Sequence, residues 1–113
     1  MIWQRGDVVV VDFPFIDRYG SKLRPALVLS SPIYHGERPQ DVIVAVISTQ
    51  TQKYGGNTDY LLQDWQAAGL LQPSVLRCTL LTILAARVDR MVGNLSARDL
   101  QEVSNRLRLA LQL

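Results

Sequence analysis

A chain of 113 residues, 48% hydrophobic and 19% charged, has the balance of one globular domain spanning 1–113, which excludes a disordered polyelectrolyte and leaves no room for a second core. Its formal net charge of +2 is compatible with a polyanionic partner without identifying one. The twelve basic and ten acidic residues divide evenly between 1–56 and 57–113, so any surface for a nucleic acid must be assembled in three dimensions.

Val8-Val-Val-Val-Asp-Phe13 is β-branched and bounded by Gly6-Asp7 and Pro14, and reads as a strand. Pro25–Ser30 is a second strand and Asp41–Ser48 a third, all three nearly continuous in apolar residues, which implies burial on both faces or a dimer contact. The segments Phe15–Leu23 and Ser31–Gln40 read as loops, and the polar stretch Thr49–Thr58 as a mobile one. Tyr60-Leu61-Leu62 is a short strand and Asp64–Ala68 a helical turn stopped by Gly69. Ser74–Leu84 and Val88–Val92 are further strands. Ser96-Ala-Arg-Asp99 has the form of a capping box with Asp in place of Glu or Gln, and Leu100, Val103, Leu107, Ala110 and Leu111 then mark one face of a terminal helix expected to pack on the sheet. The sum is a mainly β, antiparallel α+β domain of five to seven short strands.

The lone Cys78 lies in an apolar run, reads as a small core residue, and points to a reducing cytoplasm. No stretch approaches 18 uninterrupted apolar residues and the start, MIWQRGD, lacks a signal peptide's apolar segment, so no membrane partner is expected. His35 is the only histidine, which excludes a paired-histidine ribonuclease mechanism, and its Pro/Gly-rich loop makes it a solvated surface residue. No Cys/His cluster has zinc spacing, and Asp7, Asp12, Asp17 and Asp41 are scattered rather than set for magnesium, so neither metal nor cofactor is expected. Gly20-Ser21-Lys22 lacks the first glycine and preceding strand of a P-loop. The tools that remain are Arg, Lys, Ser, Thr and backbone amides.

One junction stands out. Arg24 precedes Pro25, which disfavours the helical region for the residue before it and fits best where a strand starts or forms an edge. Taken alone, an arginine there is usually a solvated group and a serine at a strand end a turn former.

Arg5-Gly6-Asp7-Val8-Val9, Asp12-Phe13-Pro14-Phe15, Gly20-Ser21-Lys22-x-Arg24-Pro25-Ala26-Leu27-Val28 and Val46-Ile47-Ser48-Thr49-Gln50 resemble the MazF/PemK family of toxin endoribonucleases. Asp64-Trp65, Ala68-Gly69-Leu70, Pro73-Ser74-Val75-Leu76-Arg77 and Val92-Gly93-Asn94-Leu95-Ser96 continue the likeness in order over nearly the full chain. The resemblance implies an SH3-like antiparallel barrel or sheet of the MazF/CcdB type with a C-terminal helix, working as a homodimer in the cytoplasm. It implies metal-independent cleavage of single-stranded mRNA, leaving a 2′,3′-cyclic phosphate and a 5′-hydroxyl, and a cognate antitoxin whose disordered tail occupies the RNA groove. Arg24 matches the catalytic arginine, and Ser48 the catalytic hydroxyl where the family more often has threonine. Ser21, Lys22, Gln50, Ser74 and Arg77 are candidates for binding RNA, and the loop Phe15–Leu23 for gating the site.

RNA cleavage by its own 2′-hydroxyl passes through a phosphorane with added negative charge, which a planar guanidinium can hold through two oxygens at once. Arg24 is therefore assigned chiefly to transition-state charge and Ser48 to a phosphate oxygen, while the general base stays open. Two alternatives stand beside this reading: a CcdB-like gyrase poison acting through its C-terminal residues, and a catalytically dead family member serving as a repressor component or antitoxin sink.

Overall fold

In the computed structural model, which describes residues 3–13 and 22–113, six strands form one antiparallel sheet. They are β1 (Asp7–Phe13), β2 (Lys22–Val28), β3 (Asp41–Ser48), β4 (Tyr60–Leu61), β5 (Val75–Leu84) and β6 (Val88–Asn94), ordered β4-β5-β3-β2-β1-β6. A helix, α2 (Ala97–Leu111), follows β6. This is the antiparallel, helix-ended architecture expected of the sequence. Among the described residues no helix is long and apolar enough to cross a membrane.

The connection between β5 and β6 dictates the sheet's shape. Only Ala85–Arg87, a single 3-10 turn, joins them, although β3, β2 and β1 stand between them in the sheet. Laid flat, four strand spacings would separate them by ~19 Å. A link of that length reaches about 14 Å at full stretch. The sheet must curl, barrel-fashion, until its ends approach.

Curling gives the sheet two buried faces. Val8, Leu27, Ala45, Ile47 and Leu76 enter one cluster, which α2 covers with Val103 and Leu107. Val9, Val11, Phe13, Ala26, Val28, Val42, Val44 and Ile83 fill the other, with Trp3 packed against it. Successive residues of a strand alternate between the faces, so burial on both sides within one chain accounts for the unbroken apolar runs of β1 to β3.

Three local expectations are revised. First, β2 is Lys22–Val28 rather than Pro25–Ser30. Pro25 is tolerated inside it because the ladder to β3 begins only at Ala26, so residues 22–25 pair with β1 alone. Second, the supposed loop Ser31–Gln40 contains a short helix, α1 (Pro32–Glu37), with Pro32 in its first turn and Ser31 Oγ accepting the Tyr34 N–H at 3.3 Å. That helix carries His35 inward, where it is buried and its Nε2 shares a hydrogen bond with Ser30 Oγ at 2.5 Å. Third, the apolar stripe of α2 is only partly covered: Val103 and Leu107 are buried, but Ala110 and Leu111 are exposed. The helix packs chiefly on β4 and β5.

Ser96 caps α2 as expected, its Oγ accepting the Asp99 N–H at 3.3 Å. Asp99 does not complete the box. Its carboxylate is fully buried and accepts instead from Tyr60 Oη at 2.6 Å, Asp64 N at 2.8 Å and Gln63 N at 3.1 Å. The helical turn after β4 forms through Ala68 N–H donating to Asp64 O at 3.1 Å, and ends at Gly69 with φ +88. There the backbone runs against β6: a Cβ on Gly69 would lie 2.2 Å from Val92 O, and one on Gly93 2.4 Å from Ala68 O.

Candidate active site

The one-sided stretch of β2 creates the site. Beyond the Ala26–Val46 pair the β2–β3 ladder stops, and continuing its register by two residues on each strand sets Arg24 level with Ser48. Arg24, opposite Val11 on β1, thus stands on the lip of the sheet. Both residues line one groove of about 260 Å³, together with Val46 and Ile47.

The same groove takes in Gln50, Lys53, Tyr54 and Arg77. The segment after β3 folds as turns, Thr51 N–H donating to Thr49 O at 2.9 Å and Lys53 N–H to Gln50 O at 3.1 Å. Ser48 Oγ accepts the Gln50 N–H at 3.1 Å. Ser48 is therefore a turn former, and its hydroxyl keeps a proton to donate. Arg77 arrives from β5 at a bulge: Ala45 pairs with Leu80 and Ile47 with Leu76, so β5 has the surplus of residues there. Such an irregularity bends a strand and re-aims its side chains. The Arg77 guanidinium lies over the Tyr54 ring, Cζ 3.9 Å from its centroid.

Of the residues picked from sequence, Arg24, Ser48, Gln50 and Arg77 come together. Ser74 does not join them. It is buried, its Oγ donating to Gln72 O at 2.8 Å, and it borders a separate, mostly apolar hollow of about 300 Å³ with Val10, Leu70, Leu71 and Val92. Lys22 is exposed at the far end of β2, paired with Phe13, and does not line the groove. Ser21 and the greater part of the loop Phe15–Leu23 lie outside the described residues. Sequence reasoning missed Lys53 and Tyr54, although a cation and an aromatic side by side in a polar segment are a recognisable sign of a surface for nucleic acid.

Arg24, Lys53 and Arg77 give the groove three cations, and no described carboxylate lines it. Low walls of one sign concentrate an anionic ligand. Among the described residues no group of three His, Cys, Asp or Glu side chains stands close enough to hold a metal ion.

The groove's outer wall is tied down from behind. Arg106 of α2 donates through Nη1 to Asn57 O at 2.7 Å and Asp59 O at 3.0 Å, just after the turn that carries Tyr54. Asp99 grips the next few residues, and burial together with that hydrogen bond pushes the Tyr60 hydroxyl well above its usual range. Asp64 receives both arms of Arg98, Nε and Nη2 each at 2.8 Å, and the Ser96 hydroxyl at 2.5 Å. Those bonds, Arg98's first, lower its pKa to about 2. Cys78 is half-buried with its thiol shifted up, chiefly by burial.

A family model of PemK-like, MazF-like toxins of type II toxin–antitoxin systems matches residues 4–111. No curated protein matches. Among solved structures, the MazE–MazF complex of Deinococcus radiodurans contains a chain of the same fold, with a TM-score of 0.78 at 21% identity, covering 100% of this chain and 99% of that one. The Mycobacterium tuberculosis toxin MazF-mt6 gives a TM-score of 0.76 at 25% identity, covering 95% and 97%. A mycobacterial endoribonuclease in complex with its cognate antitoxin gives 0.75 at 19% identity, covering 98% and 96%.

Proposed function

We propose, for a chain that belongs to the PemK-like, MazF-like toxins of type II toxin–antitoxin systems, an endoribonuclease that cuts single-stranded RNA at the groove between β2 and β3. The observation that carries this reading is the alignment of Arg24 with Ser48 in a groove of positive charge. The similar chains described as an endoribonuclease and as MazF toxins support the same reading.

The chemistry follows from the groups present. The substrate's 2′-hydroxyl gives up its proton to water as it bonds to the adjacent phosphorus, the P–O5′ bond breaks, and the departing 5′-oxygen takes a proton from water, so that the products carry a 2′,3′-cyclic phosphate and a 5′-hydroxyl. Negative charge on the non-bridging oxygens grows on the way to the phosphorane, and the Arg24 guanidinium answers it with two parallel N–H donors. Ser48 donates its hydroxyl proton to one of the same oxygens while its oxygen stays tied to the Gln50 N–H. Lys53 adds positive charge along the strand. None of these steps uses a metal. A homodimer and an antitoxin whose unfolded tail lies in the groove complete the proposal, the second supported by the antitoxin complexes among the similar structures.

The test is incubation of the purified protein with single-stranded RNA in EDTA, with the new ends mapped. New 5′-hydroxyl and 2′,3′-cyclic phosphate ends are expected at recurrent sites, together with their disappearance in a folded Arg24→Ala protein. Intact RNA at high protein concentration, across several sequences, would overturn it.

A further inference from the structure

Arg77 and Tyr54 come to the groove from distant points of the chain and meet there, the guanidinium over the ring. Arg77 Cζ sits 3.9 Å from the ring centroid, closer than Lys53 Nζ at 5.3 Å. Among the described residues no hydrogen bond or ion pair engages the Arg77 side chain. Contact with the ring is thus the interaction that holds it, at the wall of the groove it lines. A plane backed by an aromatic ring differs from a loose cation. A phosphate is gripped through the edge of a guanidinium, whereas an unpaired base stacks on its face. The groove already has Arg24 and Ser48 for the phosphate.

We propose that Arg77, braced flat by Tyr54, is the shelf on which one unpaired base beside the cut phosphate stacks, so that this pair sets base preference instead of holding the backbone. Tyr54 is the positioning residue and Arg77 the one that touches the base. Gln50, exposed in the same groove, supplies a carboxamide that can donate to and accept from the edge of that base. The proposal rests on the RNA-cleaving reading above and specifies how that site selects its sequence.

The experiment compares the wild type with Tyr54→Phe, Tyr54→Leu, Arg77→Lys and Arg77→Leu in two assays. In the first, oligoribonucleotides protected by 2′-O-methyl groups carry the fluorescent base 2-aminopurine at each position in turn, and quenching and affinity are read against salt. The wild type should quench at one position, and Tyr54→Phe should keep both quenching and affinity. Tyr54→Leu and Arg77→Lys should lose the quenching and bind roughly tenfold more weakly. Their salt slope should not change, since no phosphate contact is removed. In the second assay, mapped cleavage sites should lose base preference at that position, with KM raised more than kcat is lowered.

A salt slope that falls by about one in Arg77→Leu would identify a phosphate contact and overturn the shelf. So would unchanged site choice in Arg77→Lys, a variant that alters no packing partner of the core. If Tyr54→Leu fails to fold, Arg77→Lys and Tyr54→Phe decide alone. A wild type that quenches one base yet cuts nothing keeps the shelf and removes the nuclease reading; one that cuts normally without quenching does the reverse.

Discussion

Arg24 and Ser48 fall level with each other where the β2–β3 ladder has stopped, two residues past the Ala26–Val46 pair, and both line the groove. Here the gap stays open as the groove, edged by a guanidinium on one side and a hydroxyl on the other. Arg24→Ala should lower the rate of RNA cleavage at least ~100-fold, the usual effect of removing a preorganised donor to an oxyanion. Arg24→Lys should recover little of that, since an ammonium cannot make the forked contact. Single-turnover kinetics beside a thermal melt check both, and the melts should stay close to wild type because the side chain is exposed.

Ser48 combines two duties, so its variants should separate them. Ser48→Ala removes the hydroxyl proton and also the acceptor for the Gln50 N–H, and should cost roughly tenfold to a hundredfold in rate. Ser48→Thr keeps both functions and adds the β-branch that restricts the rotamer. Its rate should equal or exceed that of the wild type. A Thr variant slower than Ala would remove the hydroxyl from the chemistry.

Asp99→Ala should lower stability by about 3 kcal/mol, because a buried carboxylate with three donors leaves all three unmatched when it goes. Urea unfolding measures this directly. Asp99→Asn, which keeps the shape and part of the accepting capacity, should lose less.

Gly69→Ala and Gly36→Ala make an opposed pair. At Gly69 the added methyl meets the Val92 carbonyl in a left-handed backbone, and a loss of about 3 kcal/mol or more is expected. At Gly36, inside α1, nothing lies within 4 Å of the added carbon. The gain in helix propensity should leave that variant as stable as the wild type or up to ~1 kcal/mol more stable.

Acid should find Asp64. Its pKa drops from 3.8 to about 2 on folding, so the contribution is complete above the unfolded value and fades as pH falls through the folded one. The melting temperature of the wild type should therefore approach that of Asp64→Asn as pH is lowered from about 4 to about 2. Salt should shrink the difference at neutral pH, since Arg98 is exposed.

How much of this was legible in sequence depended on the kind of physics involved. The β-branched runs of β1 and β3 are bounded by turn-forming or polar residues, Gly6 and Pro14 for one and Pro39 and the polar stretch from Thr49 for the other, so their limits could be read to within a residue. Arg24 was legible because Pro25 acts on its immediate neighbour through the covalent chain. α1 was overlooked because Gly36 and Pro39 outweighed the Ser31-Pro32 start signal, and His35 was misread along with it. Ser74 and Arg77 were both proposed from the family resemblance of one short motif, but the pleat and the bulge send one to the interior and the other to the groove. Lys53 and Tyr54 carry no periodic pattern; their place depends on turns and on the tie from Arg106, which is 49 residues from one of the carbonyls it holds.

The ladder between β1 and β6 joins residues 7–11 to residues 88–94, almost the whole span of the chain. During synthesis the first strand must wait, one margin bare, until the last one is made. Closure is then a non-local event, and maturation should take milliseconds to seconds rather than microseconds. A product that stops short of residue 88 keeps that valine-rich margin unpaired, ready to recruit other chains and precipitate.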